Sequence, residues 1–171
     1  MPVKAWLCDI LDYVVFFIFS PIIVPRLIQR RWRLYWTVQG DLGEVWTRVC
    51  DIWQAHDRVY GAASGPELAP GWGHLVAVEL GRRRKDAEPL LMAALVKARP
   101  VVAVYAFTAL LRVRPYRRED LPPGAFMRTD SCEHTLGCFI REQRVSDYFE
   151  GYFRLKAAMD AGELSYRELA P

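Results

Sequence analysis

Three residues, Cys132, His134 and Cys138, are of the types that bind metal ions or act as nucleophiles, and acidic residues lie among them. Thiolate and imidazole groups are common zinc ligands. If this stretch is helical, His134 and Cys138 are four residues apart and share a face, whereas Cys132 does not. Because no paired C-x-x-C motif supplies further ligands, we expect buried thiols and no metal site. A small enzyme or metal protein using Cys132, His134 and Cys138 is kept as an alternative.

A second pairing of thiol and imidazole joins Cys50 with His56 or His74. A cysteine nucleophile needs a base within hydrogen-bond reach, and nothing in the sequence fixes that geometry. The sequence also has no phosphate loop, no G-x-G-x-x-G motif and no G-x-S-x-G motif. We therefore predict a protein that is not an enzyme and that needs no cofactor.

Composition is that of a folded domain: 171 residues, of which 52% are hydrophobic and 25% charged, with a net charge of +3. A chain of this length can bury one sizeable core. Its four cysteines are scattered along the chain. We interpret them as reduced thiols, which is typical of a cytosolic setting.

Basic residues cluster after the N-terminal apolar run, at Arg26, Arg30, Arg31 and Arg33, and again at Arg82, Arg83, Arg84 and Lys85, with Arg114, Arg117 and Arg118 further along the chain. Such clusters steer acidic partners by electrostatic attraction. We predict that the last seven of these residues bind another protein with an acidic surface, and that charge reversal at Arg82–Arg84 weakens capture while leaving the melting temperature nearly unchanged. A nucleic-acid-binding module using the same arginines is the alternative, and it is not favoured.

The N-terminal segment contains the apolar stretch DYVVFFIFSPIIVPRLIQRRWR. Its uncharged part, from Tyr13 to Val24, would span roughly 18 Å as a helix, short of the ~30 Å hydrocarbon core. Aromatic residues flank the run and arginines follow it, as at a membrane interface on the cytoplasmic side. The alternative is a helix buried in the protein core. The residues predicted to contact the membrane are Tyr13, Phe16, Phe17, Phe19, Ile22, Ile23, Arg26, Arg30, Arg31 and Trp32.

The rest of the chain shows helical periodicity. Apolar residues recur at three- and four-residue steps after Asp41, which with Glu44 is placed as an N-terminal cap. Further helices are predicted at 72–80, 86–99 and 100–114, and across 130–161, where a break near Ser146 precedes a natural stop at Gly162. GAASGPELAPGWG is predicted as a loop. We predict an all-α protein with a membrane-attachment segment at 1–38 and a helical domain at 39–171.

Residues 80–113 resemble one unit of a HEAT-like helical repeat. The resemblance rests on Leu80-Gly81, an acidic turn at Asp86, Pro89-Leu90-Leu91, a second turn at Pro100, and the run Val102, Ala106, Ala109, Leu110. It covers about one fifth of the chain, and no second copy follows at a fixed period. The resemblance implies antiparallel helical hairpins, in a short solenoid or an irregular helical bundle, and a scaffold that binds proteins.

Together these observations predict a non-enzymatic helical scaffold, such as an adaptor, an assembly factor or an immunity-type protein. We expect its apolar N-terminal helix to attach it to the cytoplasmic membrane face, with a purely cytoplasmic location as the alternative.

Overall fold

The computed structural model of the chain describes residues 28–64, 71–137 and 139–162. The chain divides into two units, 1–36 and 37–171. Described residues of the first unit belong to a helix over 28–37, here α1. The predicted apolar N-terminal helix, and with it Tyr13, Phe16, Phe17, Phe19, Ile22, Ile23 and Arg26, lies outside the described residues.

The second unit is mostly helical, as predicted. Its helices are α2 (Leu42–Gln54), α3 (Trp72–Arg83), α4 (Glu88–Lys97), α5 (Pro100–Val113), the short α6 (Pro123–Phe126) and α7 (Val145–Asp160). Asp41 caps α2 as expected, since its carboxylate accepts hydrogen bonds from the amides of Gly43 at 2.8 Å and Glu44 at 3.4 Å. α7 ends before Gly162, whose φ of 74° suits a residue without a side chain.

A small sheet completes this unit, and the sequence analysis did not predict it. Its strands are β1 (Arg58–Ser64), β2 (Ser131–Gly137) and β3 (Phe139–Arg144), in the order β1-β2-β3. β1 pairs with β2 in parallel, and β2 pairs with β3 in antiparallel fashion. The helix predicted across 130–144 is therefore wrong, and β1 occupies part of the predicted loop. The physical reason is non-local: β2 gains its parallel partner from a strand about 70 residues earlier, which no local periodicity reveals.

The core is centred on α5, where nine of the 14 residues are buried. α5 packs against both α3 and α4. The approach to α3 is close because Gly81 carries no side chain: a Cβ at this position would lie 2.0 Å from the carbonyl oxygen of Ala109. A short turn of two residues joins α4 to α5, which correspond to the helices predicted at 86–99 and 100–114. The described part of the chain shows no repeat.

Two polar contacts fix the sheet to the helices. The hydroxyl of Tyr105 on α5 accepts a hydrogen bond from the Tyr60 amide on β1 at 2.9 Å. Before β2, the guanidinium of Arg128 forms an ion pair with Asp130 and donates to the carbonyls of Leu95 at 3.0 Å and Ala98 at 2.7 Å. Arg128 thereby ties the start of β2 to the C-terminal end of α4, where unsatisfied carbonyls need donors.

Candidate functional site

The described end of the first unit carries an exposed aromatic face on α1. Ile28, Trp32, Tyr35 and Trp36 are 51%, 58%, 37% and 60% exposed. Their spacing of four, three and one residues places them on one side of a helix. The Trp32 ring stacks on Trp36 with centroids 6.4 Å apart, and Tyr35 lies edge-on to Trp36 at 5.5 Å. Large apolar side chains grouped in this way mark an interaction surface.

Basic residues lie on the same helix. Arg31 is exposed, whereas Arg30 and Arg33 take part in contacts of their own. Three of the residues predicted to contact a membrane, Arg30, Arg31 and Trp32, are thus described, and Trp32 belongs to the aromatic face. Within the described ranges no helix is both long and apolar enough to cross a membrane.

The basic cluster predicted at 82–85 is engaged in the fold to a large extent. Arg84 forms an ion pair with Asp86 at 2.8 Å and donates to the carbonyls of Val38 at 3.2 Å and Gly40 at 2.9 Å. Its side chain is only 14% exposed. The hydrogen bond from Arg84 holds the pKa of the Asp86 carboxyl below its usual range. Arg84 therefore fastens the segment before α2 and is not a free surface charge.

The neighbours of Arg84 differ in their surroundings. Arg83 forms an ion pair with Glu79, one turn earlier on α3. The ammonium group of Lys85 donates to the carbonyl of Arg112 at 3.1 Å and also to that of Val113, which places a cation at the C-terminal end of α5. Arg82 is exposed and has no carboxylate within 4.0 Å among the residues that the structure describes.

The predicted arginines at 114–118 are likewise paired for the most part. Arg114 contacts Glu88 at 3.2 Å and lies 4.1 Å from the centre of the Tyr116 ring. Arg118 contacts Glu150 at 3.0 Å and lies 4.3 Å from the centre of the Phe126 ring. Arg117 is exposed, and its amide donates to Asp120 at 2.8 Å. The structure thus leaves the side chains of Arg82 and Arg117 as the least engaged of the predicted partner-binding residues.

The predicted cysteine and histidine cluster lies on a strand. Cys132 and His134 are two residues apart on β2 and therefore share a face. The helical-face argument for His134 and Cys138 is wrong for this reason, and Cys138 lies outside the described residues. His134 is only 6% exposed and packs edge-on to the Tyr148 ring at 5.1 Å. Neither of its ring nitrogens has a hydrogen-bond partner among the residues that the structure describes.

Burial keeps these groups neutral. It raises the pKa of the Cys132 thiol to about 11 and lowers the pKa of the His134 imidazole. Burial and the nearby Asp51 carboxylate also raise the pKa of Cys50 to about 11. A thiol must lose its proton to act as a nucleophile, so these environments oppose that role near neutral pH. No group of three or more candidate metal ligands occurs within the described ranges.

The sequence analysis missed a polar cleft between the edge strand β3 and α7, with a volume of about 590 Å³. Its basic residues are Arg141, Arg144 and Arg154. The sequence analysis did not group them because Arg154 lies on α7 and Arg141 and Arg144 lie on β3. No spacing rule reveals the grouping, since it depends on how these two elements pack.

Comparison with protein-family models, with curated protein sequences and with solved structures finds no match for this chain. The functional argument therefore rests on the residues themselves.

Proposed function

We propose that this chain is a non-enzymatic helical scaffold, held at the cytoplasmic face of a membrane by its N-terminal segment, that binds another protein. The observation that carries the proposal is the aromatic face of α1. Trp and Tyr side chains favour the interface between headgroups and acyl chains, where the ring is buried and the polar edge stays hydrated. The apolar run before α1 extends the same character toward the N-terminus.

The energetic argument favours a surface that becomes covered. A large aromatic side chain buries about 150–250 Å² when it is enclosed, and each Å² contributes about 25 cal/mol. Even partial burial of Trp32, Tyr35 and Trp36 would therefore contribute several kcal/mol, on the order of what reversible membrane attachment needs. Arg31, exposed on the same helix, would add attraction to anionic headgroups.

Partner binding is proposed for Arg82 and Arg117, with Arg83, Arg84, Lys85, Arg114 and Arg118 shaping the same basic surface. Ion pairs with Glu79, Asp86, Glu88 and Glu150 offset much of the positive charge. A nucleic-acid interface would need that charge for phosphates, so the alternative has less support. The hairpin of α4 and α5 supports a HEAT-like solenoid as the proposed form of the scaffold.

The proposed membrane attachment is tested by fractionating cells that express the full-length chain. We expect wild type in the membrane fraction and the Trp32→Glu/Trp36→Glu double variant in the soluble fraction. Met127→Glu is the matched control, because Met127 is 79% exposed on the second unit. Soluble wild type, or a double variant that stays with the membranes, would argue against attachment through α1.

The proposed binding of an acidic protein partner is tested by affinity capture followed by mass spectrometry. The Arg82→Glu/Arg117→Glu variant should lose an acidic partner that wild type captures, while its melting temperature stays close to that of wild type. Capture of the same proteins by both chains would count against this surface.

A further inference from the structure

The cleft between β3 and α7 has the size of a small-molecule site. Its volume of about 590 Å³ lies within the range of roughly 300–1,000 Å³ that such sites occupy. Ser131 and Arg144 lie opposite each other in the β2–β3 register and line its strand side. Asp147, Gly151 and Arg154 line its helix side, and their spacing of four and three residues puts them on one face of α7.

The arginines of the cleft differ from several others in this fold. Arg58, Arg84, Arg114, Arg118 and Arg128 each pair with a carboxylate. Arg141, Arg144 and Arg154 are exposed, and no carboxylate lies within 4.0 Å of them in the described part of the chain. Three guanidinium groups around one cleft repel each other unless an anion joins them. Their planar forks match the oxygens of a phosphate group.

Two carboxylates also line the cleft and restrict what it can bind. Glu142 accepts a hydrogen bond from the Ser131 hydroxyl, while Asp147 is exposed at the start of α7. The three arginines and two carboxylates together give the lining a net charge of +1. Asp147 would repel a bare anion but would accept a hydrogen bond from an amine or hydroxyl group of the same ligand.

Gly151 keeps the helix side of the cleft open. It lies in the interior of α7, where glycine is less favourable than alanine by about 1 kcal/mol. Its backbone does not have a positive φ, and a Cβ at this position would meet no atom within 4 Å. Neither conformation nor packing in the described structure requires a glycine here. The missing side chain leaves room on the helix side of the cleft, which a large side chain at this position would fill.

We propose that this cleft binds a small phosphorylated molecule that also carries an amine or hydroxyl group. Arg144 on the strand side and Arg154 on the helix side contact the phosphate, Arg141 adds positive charge to the cleft, and Asp147 accepts a hydrogen bond from the second group. Such a site is independent of the aromatic face of α1, so either proposal can fail alone. We propose a free molecule as the ligand. The test must distinguish it from the headgroup of a phospholipid, which has the same chemistry.

The test is calorimetric titration of the full-length protein at low salt with inorganic phosphate and with O-phosphoethanolamine. We expect both to bind, and O-phosphoethanolamine to bind more tightly, a difference that Asp147→Asn removes. Arg144→Gln and Arg154→Gln should each weaken binding about tenfold, as expected for loss of a charge-assisted hydrogen bond, and Arg141→Gln should weaken it less. Arg82→Gln, an exposed arginine outside the cleft, should bind like wild type.

Gly151 supplies a second, steric comparison. Gly151→Ala should retain binding, whereas Gly151→Phe fills the cleft and should abolish it, with both chains checked for wild-type circular dichroism. No heat at 10 mM of either probe, or equal affinities for the Arg144→Gln and Arg82→Gln variants, would overturn the proposal. Arg144-dependent binding to phosphatidylethanolamine vesicles without binding of soluble O-phosphoethanolamine would overturn it as well, and would identify a lipid headgroup.

Discussion

The guanidinium of Arg84 donates a hydrogen bond to the carbonyl oxygen of Gly40 at 2.9 Å, across 44 residues of sequence. Gly40 has a φ of 113°, a conformation that residues with side chains rarely adopt. The contact holds the turn before α2, and the same guanidinium also bonds Val38. A residue chosen from the sequence as a surface charge is therefore a structural clamp.

This contact changes the expectation for the basic cluster at 82–85. Arg84→Gln should lower the free energy of unfolding by about 1.5–3 kcal/mol, because two backbone carbonyls and Asp86 lose a charged donor. Arg82→Gln should change it by less than about 0.5 kcal/mol, as is usual for exposed positions. Urea denaturation of both variants measures the difference. Equal stabilities would contradict the clamp.

The close packing of α3 on α5 gives a prediction about two glycines. Gly81→Ala should destabilise the protein by about 1–3 kcal/mol, because the new Cβ would collide with the backbone of Ala109. Gly151→Ala makes the same chemical change inside α7, where there is space, and should stabilise by about 0.5–1 kcal/mol. Thermal denaturation should therefore shift in opposite directions. A shift of the same sign for both variants would argue against this packing.

Stability should depend on pH through two histidines. Burial lowers the folded-state pKa of His134. Burial also lowers the pKa of His74, and the positive charge of the nearby Arg112 lowers it further. Since the unfolded pKa is about 6.5, the unfolded state takes up protons first as the solution is acidified. The neutral imidazoles therefore contribute their full share to the free energy of unfolding above about pH 6.5, and this contribution is lost as the pH falls below that value.

The measurement is the free energy of unfolding between about pH 7.5 and pH 5 for wild type, His134→Leu and His74→Asn. Wild type should lose stability toward low pH, and each variant should lose less. His134→Leu should also be well tolerated near pH 7, because within the described ranges neither nitrogen of this ring has a hydrogen-bond partner. Superimposable pH profiles for wild type and His134→Leu would contradict the assignment.

Local signals predicted the longer helices of the second unit but not the short α6 or the sheet. Asp41 as a cap, Pro100 in a first turn and Gly162 as a stop act within one helical turn of their own positions, so the sequence displays them directly. β1 and β2 depend on each other across the intervening helices, and their pairing places Val59 beside His134. A strand stabilised by so distant a partner leaves only a short alternation in its own sequence.

The candidate sites also differ in how much of each follows from local sequence and how much from tertiary packing. An aromatic face such as that of Trp32 and Trp36 follows from helical spacing, so its outline was available from the sequence. The engagement of Arg84 and the grouping of Arg144 with Arg154 depend on tertiary packing, and no spacing rule reveals them. Counting basic residues cannot show which of them pair with a carboxylate in the fold, as Arg84 does with Asp86.

The aromatic face of α1 is tested most directly by vesicle flotation with purified full-length protein. Vesicles containing anionic lipid are mixed with wild type, with Trp32→Glu/Trp36→Glu and with Met127→Glu, and are floated through a density gradient at low and at high salt. Attachment through α1 predicts that wild type and Met127→Glu float under both conditions and that the double variant stays at the bottom. Flotation of the double variant to the same extent as wild type, or failure of wild type to float, would contradict the account.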